Sequence, residues 1–161
     1  MKLMDLAMTG NAARLDETGA VRLSGCITSA SVSRVMTLGS AMLLHPRAKR
    51  VLNLVGAELA LPIDQMGAAS AGCRLSRDEP TAIVVRPDQL CQMREFAWRM
   101  SQRGRLRGVF LCPAEALRWA MDQRAVWASL PDAPAAKATQ TSPLRRWAFE
   151  ALPAQPGMPL Q

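Results

Sequence analysis

Residues 81 to 120 read TAIVVRPDQLCQMREFAWRMSQRGRLRGVFLCPAEALRWA, and the alternation of apolar runs with helical periodicity in them decides the fold class. TAIVV, closed by Pro87, is the clearest strand in the chain. Asp88 is expected to cap a helix whose apolar stripe is Leu90, Met93, Phe96, Ala97 and Met100, with Gly104 as its C-terminal stop. Leu106 to Leu111 forms the next strand. Pro113 suits the first turn of a further helix ending near Leu130, with Leu117, Ala120 and Met121 as its buried stripe. Strands joined by helices in this order imply parallel pairing through right-handed crossovers.

Upstream, the runs Ala13 to Asp16 and Ala20 to Ile27 flank the turn formers Glu17, Thr18 and Gly19, the pattern of a hairpin whose first strand lies at the sheet edge. TSASVSRVMTLGSAMLLH places Val32, Val35, Met36, Gly39, Met42 and Leu43 on one stripe. It predicts a helix of about four to five turns, capped by Thr28 or Ser29, with Pro46 beyond its end. Arg50 to Val55, RVLNLV, reads as a short buried strand. Pro62 and the small residues of GAELALPIDQMGAASAGCRL suggest a loop leading into a short helix from about Asp64 to Ala71, and Arg74 to Pro80 a polar loop. The expectation is an α/β single domain over residues 12 to 130, with a mixed, mostly parallel sheet of about five strands and four helices. It follows an N-terminal segment, 1 to 11.

Beyond Leu130 the composition changes, because six of the eleven prolines fall in the last 31 residues. Residues 131 to 161 therefore read as a flexible Pro/Ala-rich tail. Within it, SPLRRWAFEAL offers a short helix at 142 to 152, with Leu144, Trp147, Ala148 and Ala151 on one face. That face should dock, either on the protein's own core or on a partner.

At 161 residues the chain is long enough for one core. Its 49% apolar and 20% charged content excludes global disorder. The first residues, MKLMDLAMTG, fit neither a secretory signal nor a membrane span, so a cytoplasmic location without membrane insertion is expected. The net charge of +7 rests on 17 arginines. They are scattered rather than interleaved with stacking aromatics, which makes a basic nucleic-acid binder the weakest of three readings.

Cys26, Cys73, Cys91 and Cys112 are widely spaced and accompanied only by His45, so reduced and mostly core thiols are expected, with no metal and no cofactor. Three of them, Cys26, Cys91 and Cys112, fall at or just after predicted strand ends, the edge where open α/β sheets bind ligands. Cys112 also sits at a helix start, where unpaired amides favour a thiolate, although Glu115 in the first turn opposes one. The structural reading is a small side chain filling a strand-to-helix joint. No GxGxxG, GxxxxGK[ST], HExxH or GxSxG motif occurs. Arg94, Arg99 and Arg103 lie on the third long helix, where Glu95 can pair with Arg99.

The succession AVRLSGCIT, RVLNLVGAEL, PTAIVVRPDQL and RGVFLCPAEALRWA resembles STAS-type domains, the fold of anti-anti-sigma factors and of sulfate-transporter cytoplasmic tails. The similarity covers about residues 12 to 130. In anti-anti-sigma members the loop after the middle strand carries a phosphorylated serine at the start of the next helix. Here PIDQMG places Gln65 and Met66 where serines would stand, and Asn53 replaces an aspartate of the preceding strand. The resemblance thus implies a non-catalytic domain that binds another protein, or a second copy of itself, without the phosphoserine switch. Its expected contact residues are Glu58, Asp64, Gln65 and Met66, with Trp147 second. The alternative is a thiol-dependent enzyme or redox sensor using Cys112, with Cys91.

Overall fold

The computed structural model describes residues 5 to 8 and 10 to 130. The chain forms an α/β domain built on one mixed, mostly parallel sheet and four helices. In chain order the elements are β1 (Asp5–Met8), β2 (Asn11–Leu15), β3 (Ala20–Thr28), α1 (Val32–Leu43), β4 (Val51–Asn53), β5 (Ala57–Ala60), α2 (Ile63–Gly72), β6 (Thr81–Val84), α3 (Leu90–Ser101), β7 (Arg107–Phe110) and α4 (Pro113–Ser129). The strands lie in the order β1-β2-β3-β4-β6-β7, with β5 also paired to β3. The β1–β2 and β2–β3 pairs are antiparallel and the other four pairs are parallel.

Side-chain periodicity explains the layers. In β3, Val21, Leu23 and Ile27 are buried while Arg22, Ser24 and Cys26 are exposed, the alternation of a strand covered on one face. In β6 all four residues are buried, because helices cover both faces. Ile83 packs into the large core under α1, α2 and α3, with Met93, Phe96 and Met100. Ala82 and Val84 face the other way, against Ala116 and Ala120 of α4. Small residues on both sides bring α4 close, and the Phe110 and Trp119 rings meet beside them at 5.5 Å.

Several expectations need correction. β2 is not the edge, since β1, from the segment read as lying before the domain, pairs outside it. Residues 57 to 60, read as loop, form a strand because Gly25 to Thr28 of β3 offer them a ladder. α1 has 12 residues, about three turns, and Ser31 rather than Thr28 or Ser29 stands at its N-cap. The Ser31 hydroxyl accepts the Thr28 amide at 2.9 Å instead of capping the helix. Asp88 does not cap α3 either, because its carboxylate is taken by Arg86 at 3.0 Å and Pro87–Gln89 forms a 3-10 turn first. Met121 is exposed, since α4 buries only the narrow stripe of Ala116 and Ala120. The tail helix at 142 to 152 and Trp147 lie outside the described residues.

The hairpin turn is held by one carboxylate. Asp16 accepts the Thr18 amide at 2.9 Å, the Thr18 hydroxyl at 2.6 Å, the Ala20 amide at 3.1 Å and Arg22 Nε at 2.9 Å. Partial burial alone would raise its pKa, but these hydrogen bonds outweigh it and hold the carboxyl below the usual range. A depressed folded pKa means that the stabilisation is complete above the unfolded value of about 4 and is lost as pH falls through the folded one. Asp16→Ala should therefore cost about 1–3 kcal/mol at pH 7, with the deficit shrinking below about pH 4. Urea unfolding of both proteins across that range tests it.

Candidate functional site

The parallel strands β3, β4, β6 and β7 follow one another in sequence order, and the helices that connect them all lie on one face. No reversal of strand order opens a crevice at their C-terminal edge, so the usual ligand position of doubly wound sheets does not arise. The edge is instead tied shut. Arg86 Nη1 donates to the carbonyls of Val55 at 2.6 Å and Ala57 at 3.1 Å, and the same guanidinium reaches Glu58 at 3.4 Å and Asp88 at 3.0 Å. The Arg86 hydrogen bond, foremost, holds the Asp88 carboxyl below its ordinary value. Buried Gln89 completes the clamp, donating to Leu54 and Ala57 carbonyls at 3.2 and 2.7 Å and accepting the Arg86 amide at 3.0 Å.

The open feature is a groove of about 490 Å³ between α1 and α2. Ser29, Val32, Ser33 and Thr37 form one wall, and Gln65, Ala68, Ala69 and Gly72 the other. No charged side chain lines it, and the short side chains leave the helix backbones near the surface.

The four contact residues expected from the sequence separate in three dimensions. Gln65 is exposed on the groove wall. Asp64, one position earlier on α2, is turned to α3, where its carboxylate and that of Glu95 both meet Arg99. Glu58 sits on β5 and belongs to the Arg86 clamp. Met66 is a correction: it is only 2% exposed and packs in the main core, because successive helical residues are turned by about 100°. Sequence reasoning also missed Arg86 and Gln89. Their signal was local, an arginine and a glutamine flanking the turn-forming Pro87 and Asp88 directly after the clearest strand.

The cysteines need correction too. Cys26, Cys91 and Cys112 are exposed and only Cys73 is buried. Cys112 does occupy the joint before α4, as N-cap, but it fills no core there. Cys73 closes the foot of the groove. Burial raises its pKa, and hydrogen bonds with Ser40, Leu75, Thr37 and Ser76 together outweigh this and lower it. Among the described residues no helix is long and apolar enough to cross a membrane. No family model matches the chain, and no curated protein and no solved structure matches it either.

Two measurements check this description. A thiol reagent should modify three cysteines rapidly in the folded protein and the fourth, Cys73, only on unfolding; four fast thiols would contradict the packing of Cys73. Met66→Ala should destabilise by about 2–5 kcal/mol, whereas Gln65→Ala should stay within about 0.5 kcal/mol of the parent in the same denaturant titration.

Proposed function

We propose that the chain acts by binding another protein, as a STAS-like regulatory domain without the phosphoserine switch, and that a helix of the partner seats in the α1–α2 groove. The observation that carries this reading is the groove, uncharged and walled by small side chains, with Gln65 where the resemblance would put the switch. The antiparallel hairpin feeding a parallel run supports the STAS-like part. Asp64, Arg99 and Glu95 pair with one another on the α3 side of α2 and are not part of the groove. Residues 131 to 161, with Trp147, form the second candidate surface.

A second reading rests on the exposure of Cys112 at the head of α4. It is thiol chemistry, which requires fast alkylation of Cys112 relative to Cys26 and Cys91.

Affinity capture from cell extract, followed by mass spectrometry, compares the full chain with its Ala68→Arg variant and with a chain ending at Leu130. Ala68 is exposed in the groove, so the variant should fold while losing at least about tenfold in retention of the partner. Equal retention by Ala68→Arg would overturn the groove. Loss only on truncation would transfer the role to residues 131 to 161.

A further inference from the structure

At the opposite end of the sheet, the N-terminal ends of β4, β6 and β7 carry two buried arginines. Arg50, immediately before β4, is 5% exposed, and Arg107, the first residue of β7, is 8% exposed. Both line a cavity of about 40 Å³ between α1, the sheet and the 73 to 80 loop. Arg50 is held in the left-handed region, with φ of 60°, a conformation that non-glycine residues rarely adopt.

Their hydrogen bonds only partly account for them. Arg50 Nη2 donates to Thr81 Oγ1 at 2.8 Å and to the Glu79 carbonyl at 3.2 Å. Its Nε has no hydrogen-bond partner, and the Glu79 carboxylate stands off at 3.9 Å, shared with Arg124. Arg107 donates to the carbonyls of Arg77, Glu79 and Leu106 and forms no ion pair among the described residues. Burial first, then the charges of Arg50 and Arg105, push Arg107 down to about 9, so it remains a cation at neutral pH. Arg77 adds a further positive charge at the exposed rim. Five guanidinium groups, of Arg50, Arg77, Arg105, Arg107 and Arg124, thus share two carboxylates, Asp78 and Glu79. A buried, incompletely paired donor next to unpaired positive charge calls for an anion.

The rest of the cavity restricts which anion. Its inner wall is apolar, made by Leu23, Val35, Leu52, Ile83 and Phe96. An inorganic dianion would turn unpaired oxygens toward that wall, at a large desolvation cost. A carboxylate with an aliphatic tail would not. Space for roughly three water molecules matches a chain of about three or four carbons.

We propose that this cavity binds a short-chain aliphatic carboxylate, its head held by Arg50, Arg107 and Arg77 and its tail among Leu23, Leu52 and Ile83. The site lies at the other end of the sheet strands from the Arg86 clamp and does not rest on the groove reading. The Arg74 to Pro80 loop forms its mouth, through Leu75, Ser76 and Arg77.

The test is a thermal-shift and calorimetric series on the full chain at constant ionic strength, using acetate, propionate, butyrate and hexanoate, with chloride and phosphate as controls. Propionate or butyrate should stabilise most. A response that is equal for phosphate, flat across chain length, or absent would overturn the proposal. Arg77→Gln, at the exposed rim, should weaken propionate binding about tenfold through loss of one charge-assisted contact. Arg50→Gln could fail to fold, so Gly39→Ala serves as the second variant. A Cβ at Gly39 meets Leu52 and Leu23 at ordinary contact distances of 3.6 and 3.7 Å. It should therefore fold, narrow the cavity and shift the preference to the shorter acid. Binding unchanged in both variants would place the ligand elsewhere.

Discussion

Strand β3 changes its parallel partner halfway along, and the rest of the molecule is arranged around that change. Its residues 20 to 22 pair with β4 and residues 25 to 28 with β5. The backbone between those partners, Leu54 to Gly56, leaves the ladder, and a buried carbonyl without a donor is costly. The Ala57 amide donates to the Leu54 carbonyl, and Gln89 and Arg86 add donors to the Leu54, Val55 and Ala57 carbonyls from the next βα connection. On the other side of β3, Asn11 Nδ2 reaches the Cys26 carbonyl at 3.0 Å, past Gly25. Gly25 itself has φ of 90°, and a side chain there would overlap the Gly10 carbonyl, so only glycine lets the hairpin close on this kinked strand. Because β5 feeds directly into α2, the same clamp sets where α2 begins and hence where the groove lies.

The arginine content gains a physical account from this architecture. Of the seventeen arginines, Arg50, Arg86, Arg103, Arg105 and Arg107 donate to backbone carbonyls. Arg103 donates to Gly67 at 3.0 Å in the middle of α2, and Arg105 to Ser70 at 2.9 Å in its last turn. Arg86 does the same for the β4–β5 break, and Arg50 and Arg107 for the loop before β6. Guanidinium groups suit this work because one planar fork reaches several acceptors. A surplus of positive charge that looks in the sequence like a tendency toward acidic partners is in part taken up by structural contacts. It concentrates at the N-terminal strand ends, where carboxylates run short.

The candidate surfaces show how local pattern and tertiary placement divide. PIDQMG reads correctly as a helix start, yet the fate of each residue depends on which neighbour it faces. Asp64 finds Arg99, Gln65 finds the groove and Met66 finds the core. A cysteine at a strand end reads as packed because cysteine is usually buried. Cys26, Cys91 and Cys112 are exposed instead: Cys26 on the outward side of β3, Cys91 in the first turn of α3 and Cys112 at the head of α4.

By itself the sequence determined the α/β class, the hairpin, the alternation of strands and helices apart from β1 and β5, the apolar stripes of α1 and α3 and the stop at Gly104. All of these follow from short-range periodicity and from the backbone preferences of proline and glycine. Only the tertiary structure decided that β1 covers the outer edge, that residues 57 to 60 become a strand and that α4 buries alanines rather than Met121. It also decided that Arg50 and Arg107 meet in one cavity. Each of these depends on a partner in another element, from the adjacent β2 for β1 to Arg107 for Arg50. An edge strand takes its ladder from its neighbour, a helix its buried face from the sheet beneath it, and a buried cation its character from the charges that do or do not come within reach.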